Sequence, residues 1–283
     1  MEPSTFALPD HHVIALEGRD AGTFAQAQFM NDVAGLHAGH WQWSGWLTPK
    51  GRVIALFALL KIDDEKILLL LQDADPDEFT ARLQRFVFRS KVRIGAPGDL
   101  HAGGSFDAHP PAAGARLHDA GNDRLALDFS GDGGARTLWI DAGTDIHDDA
   151  GALARWTAFD LAHGLPRLSA SQQEQWTPQQ LSLDRLQAYS VRKGCYPGQE
   201  IVARTHFLGQ AKRGLVLFES DAPLAAGAQV MDGERALGTI VSAAPSGQRH
   251  LALAVLPLDP SPSAPRSEGN ALRPLALLDG LAR

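Results

Sequence analysis

Apolar positions along this chain fall into many short runs, and only a few stretches repeat them at a helical period. Val13 to Leu16 has strand length and ends at Gly18. Asp20 then caps a helix in which Phe24, Ala25 and Phe29 share one face. Trp41 to Leu47 is strand-like, and Pro49-Lys50-Gly51 turns the chain into Val53 to Leu60, a continuous apolar run. Asp63-Asp64-Glu65 reverses it into Ile67 to Leu71, which predicts a hairpin. Asp75-Pro76-Asp77-Glu78 starts a second helix: a capping acid, a proline in the first turn, and acids at the positive end of the dipole. Phe79, Leu83, Phe86 and Val87 form its expected buried stripe.

Val92 to Ile94 reads as another strand, and Gly95 to Gly121, rich in Gly, Ala, Pro and His, as loops around weak strands. Gly131-Asp132-Gly133-Gly134, between Leu125 to Phe129 and Thr137 to Ile140, signals a hairpin. A helix is expected from about Asp149 to His163, with Leu153, Trp156 and Phe159 inward and Gly164 and Pro166 stopping it. Past Arg213 the pattern changes. Gly214 to Phe218, Gln229 to Met231, Leu237 to Ala243 and Leu251 to Leu256 are short strands. Pro257 to Gly269 reads as a flexible loop and Leu272 to Leu278 as a closing strand. Short strands at even spacing point to a small barrel or sandwich. The pattern is thus an α+β region followed by a small all-β domain, with a boundary near 205–215.

Composition narrows the function classes. The 283 residues are 44% hydrophobic and 21% charged, as in an ordinary globular protein. A net charge of -7 gives no global field that recruits nucleic acid, so direct nucleic-acid binding is not indicated. The single cysteine, Cys195, makes no internal disulfide and builds no cysteine-based metal site, so no metal is expected and the usage fits a reducing compartment. No basic start followed by an apolar run marks a signal peptide, and the apolar runs are too short to span a bilayer. A cytoplasmic location without membrane contact is the expectation.

Candidate chemistry concentrates in one segment, Lys193 to Arg213, KGCYPGQEIVARTHFLGQAKR. Gly194, Gly198 and Gly209 permit backbone angles or close approaches denied to other residues. Cys195 stands two residues from Lys193, whose charge favours a thiolate. Gln199 and Glu200 add polar groups to the same loop, and Arg204, Lys212 and Arg213 offer cations to an anionic ligand. Against this, a lone cysteine also serves as a small buried hydrophobe and the cations as a solvated face. His206 is a candidate base for Cys195, but no His/Asp pair is placed by sequence to activate it. Residue types alone leave both readings open.

The same segment resembles the signature of the YgfZ family, a folate-binding branch of the superfamily of the glycine-cleavage T-protein (aminomethyltransferase). Lys193, Gly194, Cys195, Tyr196, Gly198, Gln199, Glu200, Val202, Ala203, Arg204, Gly209, Lys212 and Arg213 match that pattern. Leu16-Glu17-Gly18-Arg19-Asp20, Gln28, Asn31-Asp32-Val33, Pro49-Lys50-Gly51-Arg52, Gly164-Leu165-Pro166 and Pro178-Gln179 are similar to further family positions. The resemblance implies an α+β fold of two interleaved α+β subdomains plus a C-terminal small β-barrel, a T-protein-like three-domain ring around a folate pocket. It assigns 1–205 to the folate-binding region, with an inserted subdomain at roughly 45–110, and 206–283 to the barrel.

The resemblance also implies a function: a tetrahydrofolate-binding protein that supports iron-sulfur client enzymes, one of them modifying tRNA. Cys195 would be its key thiol, redox-active or a transient ligand. Lys193, Tyr196, Gln199, Glu200 and Arg204 would be its other binding residues. Trp156 falls where a family tryptophan meets the pterin, although its place in the apolar stripe also fits core packing. His11 aligns with a second such tryptophan. Two departures count against aminomethyl transfer. Ala55 and Leu56 stand where T-proteins carry paired acids, and Ala162 stands where a glutamate would hydrogen-bond the pterin. The competing classes are a tetrahydrofolate-dependent one-carbon transferase and a non-catalytic structural adaptor.

Overall fold

The computed structural model describes residues 5–121, 124–142, 146–209, 211–259 and 263–283. Three sheets carry the chain. A five-stranded antiparallel sheet runs in the order His40–Leu47, Val53–Lys61, Lys66–Gln72, His11–Glu17, Arg93–Gly95. A six-stranded sheet orders Ile146–His147, Thr5–Ala7, His101–Ser105, Thr137–Asp141, Leu125–Asp128 and His118–Asp119, with a parallel pairing only between its first two. Thr5–Ala7 therefore sits in a sheet to which the chain returns only at His101, and the whole five-stranded sheet is built in between. This is the interleaving that the family resemblance implied, and no periodicity could reveal it.

The C-terminal seven-stranded sheet forms a near-barrel, in the order Asn270–Ala271, Pro265–Ser267, Gln229–Asp232, Arg235–Ser246, Arg249–Pro257, Arg213–Ser220, Arg273–Leu275. Two expectations are corrected here. The 257–269 stretch is not all loop, since Pro265–Ser267 pairs with Gln229–Asp232, while residues 260–262 lie outside the described residues. The closing strand is shorter than 272–278, with Arg273–Leu275 paired to Arg213–Ser220.

Four α-helices are described: α1 (Ala21–Gln28), α2 (Pro76–Gln84), α3 (Ala150–Ala162) and α4 (Gln199–Leu208). Asp75 and Asp149 cap α2 and α3 by accepting the N–H of Glu78 and of Ala152. Asp20 stands at the start of α1 but makes no such cap; its carboxylate accepts the N–H of Lys91 at 2.7 Å instead. Of the stripe expected on α2, Phe79 and Leu83 are buried, but Phe86 lies beyond the last turn and is 48% exposed. Helix α4 falls where the sequence suggested a loop. Its apolar residues do not keep to one inward face, for Val202 is buried while Phe207 and Leu208 are exposed.

Alternation on the strands decides which residues meet. In His11–Glu17, Val13 and Ala15 turn to a central core, and Ile14 and Leu16 turn to a second cluster beneath α1 and α2. The central core draws on all three sheets, including Phe6, Trp41, Trp43, Trp156, Leu215 and Leu253. Burying each such large side chain stabilises the fold by about 1.5–3 kcal/mol. Helix α3 packs against both Thr5–Ala7 and Arg235–Ser246, tying the six-stranded sheet to the barrel.

Candidate functional site

The signature loop is held by buried polar ties. Lys193 is only 7% exposed, and its ammonium donates to the carbonyls of Gln26 and Phe29, both at 2.5 Å, and of Asn31 at 3.1 Å. Those carbonyls lie at the C-terminal end of α1, where a cation complements the dipole. Burial lowers the lysine pKa from 10.5 to about 8, with Asp32 pulling it back up. Tyr196 is buried beside it, the Lys193 ammonium 4.9 Å from its ring centre, and its hydroxyl donates to the Ser190 carbonyl at 3.1 Å. Burial raises the Tyr196 pKa, so the phenol stays protonated. Gln199 closes the loop by donating to the Lys193 carbonyl at 3.0 Å.

A second glycine turn locks against this one. Gly198, before α4, has φ +79°, and a Cβ there would come within 2.6 Å of the Thr48 carbonyl and 2.7 Å of Gly51 Cα. Gly51 has φ +70°, and a Cβ on it would lie 2.8 Å from Ile201. The Pro49-Lys50-Gly51 turn and the signature, far apart in sequence, are thus pressed together through two glycines. Gln179 ties α4 from the other side by donating to the Val202 carbonyl at 2.9 Å. Gly194 and Gly209 have no such role. Neither has positive φ, and a Cβ at Gly194 would meet open space.

On this scaffold Gly194 and Cys195 are exposed. The expected Lys193 partnership is corrected: its ammonium is directed inward to three carbonyls, not to the thiol. Gln199 and Glu200 belong to the first turn of α4, not to a loop. Arg204 and Lys212 are exposed, with no ion pair among the described residues, whereas half-buried Arg213 donates to the Leu237 carbonyl and braces the barrel. Gln210 of the signature lies outside the described residues. His206 is in the last turn of α4, about 10 Å along the axis from its start. It lines an open cleft of about 690 Å³ together with Asn31, Asp184, Tyr189 and Arg192.

The other candidates, His11 and Trp156, occupy a separate place, the core between the five- and six-stranded sheets. Trp156 has no exposed surface. It contacts Phe6, Phe106 and Phe129, and the Arg136 guanidinium lies 4.1 Å from its ring centre. Cys195 therefore does not open onto the tryptophan. Arg136, itself fully buried, pairs with Asp160 of α3 at 2.8 Å. Arg167 reaches Asp160 at 3.5 Å and Asp73 at 2.7 Å. His11 is held neutral, its pKa well below 6.5 because of burial and then Arg167 and Arg136. Both nitrogens of His11, both amide atoms of Gln72, Arg136 Nη2 and Trp156 Nε1 are buried without a hydrogen-bond partner among the described residues. Sequence reasoning missed Gln72, Arg136, Asp160 and Arg167. A polar residue ending an apolar run (Gln72) and a charge between Phe159 and Leu161 (Asp160) were the available signals.

At the T-protein positions, Ala55 and Leu56 are buried opposite Trp46 and Gly45 in the adjacent strand, with no carboxylate. Ala162 ends α3, and its carbonyl accepts the N–H of Leu278.

Three interlocked sheets with this connectivity define the T-protein fold. The chain superposes with a TM-score of 0.74 on the glycine cleavage system aminomethyltransferase T from Bartonella henselae, at 15% identity, over 96% of this chain and 84% of that one. No family model matches the chain. It is 30% identical over 220 residues to an uncharacterized protein of Haemophilus influenzae, covering 75% of this chain and 72% of that protein. It is 29% identical over 269 residues to the tRNA-modifying protein YgfZ of Aliivibrio fischeri, covering 89% of this chain and 84% of the other. With the corresponding protein of Sodalis glossinidius the identity is 27% over 268 residues. The chain is thus similar to YgfZ proteins over most of its length and shares the T-protein fold.

Proposed function

We propose that this protein is a tetrahydrofolate-binding factor that supports tRNA modification by sustaining an iron-sulfur client enzyme, with Cys195 as its working thiol. The observation that carries the reading is an exposed thiol on a loop whose other matching residues, Lys193, Tyr196, Gly198 and Gln199, are directed to holding it in place. A thiol so presented meets a macromolecular client without the loop having to unfold. It can serve as a transient cluster ligand or a redox partner. The relatives' role in tRNA modification and the matched signature support the same direction. Exposed Arg204 and Lys212 and the nearby Glu200 would form the rim that the client meets. The division into a folate-binding region over 1–205 and a barrel over 206–283 belongs to the same proposal, as does a cytoplasmic location. No helix of the described residues is long and apolar enough to cross a membrane.

At the inter-sheet core, unpartnered polar atoms rather than an open cavity at Trp156 support the folate reading. The unpartnered nitrogens of His11 and Trp156 suit a heterocycle rich in amide and amine groups. Because Arg136 lies on the indole, Trp156 would offer its N–H edge rather than an open stacking face. Bound tetrahydrofolate would supply a one-carbon carrier and a readily oxidised ring. Ala55 and Leu56 themselves carry no acid to polarise a reacting folate nitrogen, which weighs against the transferase reading. Cells lacking their native protein of this family provide the test. Expression of this chain should restore the client enzyme's activity and the tRNA modification, and Cys195→Ala should not. Full rescue by Cys195→Ala would overturn the role of the thiol.

A further inference from the structure

The signature leaves the largest set of unsatisfied buried groups unused, and these groups lie together. His11 and Gln72 are register partners on adjacent antiparallel strands, so their side chains leave the sheet on the same face. The pairs that follow, Val13 with Leu70 and Ala15 with Leu68, belong to the central core, and that face holds Trp156. Asp73, next after Gln72, binds Arg167, which continues through Asp160 to Arg136 and so to the Trp156 ring. The charges in this chain of contacts pair with one another. What remains unpaired is neutral: one carboxamide, one imidazole and an indole N–H, beside one spare guanidinium N–H.

A buried carboxamide without a partner costs about 1–3 kcal/mol, and a methionine of similar size would avoid that cost. Retention of a polar group under such a penalty points to a ligand. An open cleft of about 580 Å³, a volume usual for small-molecule sites, is lined by His11 with Leu8, Val13, Leu100 and Ala102; Gln72 is not on its wall but pairs in register with His11, which is. We infer that Gln72, with His11 opposite, reads the polar edge of the ligand's heterocycle. A carboxamide presents an acceptor beside a donor, the complement of a cyclic amide edge with its C=O beside N–H. A pterin carries such an edge, so Gln72 takes over the recognition that Ala162 cannot make. This assignment rests on the folate reading.

The test is calorimetric titration of the full chain with tetrahydrofolate and, separately, with 4-aminobenzoyl-glutamate, the folate fragment that lacks the ring edge. Gln72→Met should weaken tetrahydrofolate at least tenfold, leave any binding of the fragment unchanged, and leave the ligand-free melting temperature equal or higher. Equal tetrahydrofolate affinity in wild type and Gln72→Met would overturn the assignment while leaving the folate reading intact. So would a weakened affinity accompanied by a melting temperature several degrees lower, because the amide would then be structural. Absence of saturable binding to the wild type at millimolar ligand would remove both the folate reading and this assignment.

Discussion

The signature loop and the inter-sheet core hold the two groups of candidate residues, and they are built in opposite ways. Around Cys195 the buried polar groups are largely satisfied, and the reactive group stands outside. Around Trp156 the charged groups are paired, but several neutral polar atoms are buried and unmatched. An exposed group on a satisfied frame suits a large partner that arrives from solution. Unmatched polar atoms in a closed core suit a small molecule that replaces lost solvent. The difference separates the exposed thiol from the buried polar cluster around Trp156.

Breaking the core should have the largest effect. Asp160→Ala removes the carboxylate shared by Arg136 and Arg167 and leaves buried guanidinium charge uncompensated. A loss of about 3–5 kcal/mol is expected, read by urea denaturation. Next is the frame of the loop. Gly198→Ala combines positive φ with a Cβ 2.6 Å from the Thr48 carbonyl, and should cost about 2–4 kcal/mol while lowering client rescue.

Lys193→Met should cost about 2 kcal/mol, because three carbonyls lose their shared donor. It also carries a pH signature. The folded pKa of about 8 lies below the unfolded 10.5, so between these values the unfolded chain holds a proton that the folded chain has released. Stability from this group therefore rises with pH across that window, and Lys193→Met should flatten the rise in pH-dependent unfolding. The smallest effect belongs to the thiol. Cys195→Ser should change stability by less than about 0.5 kcal/mol, and wild-type Cys195 should label with a thiol reagent without denaturant. A thiol that labels only after unfolding would erase the contrast between the two regions.

Much of the fold was legible in the sequence by itself. Alternating and continuous apolar runs located most of the longer strands, and the acids at 75 and 149 marked two helix starts, because these signals are local and repeat at the period of the element. The signature at 193–213 was equally legible as a motif. Tertiary structure alone decided what the motif's parts do: Lys193 faces inward, Gly198 meets Gly51, and Gln199 opens a helix. It alone paired His11 with Gln72 and linked Arg136, Asp160 and Arg167 beside Trp156. Those contacts join residues up to 164 positions apart, and their energies come from desolvation and from register between strands, neither of which leaves a local trace in the order of residues.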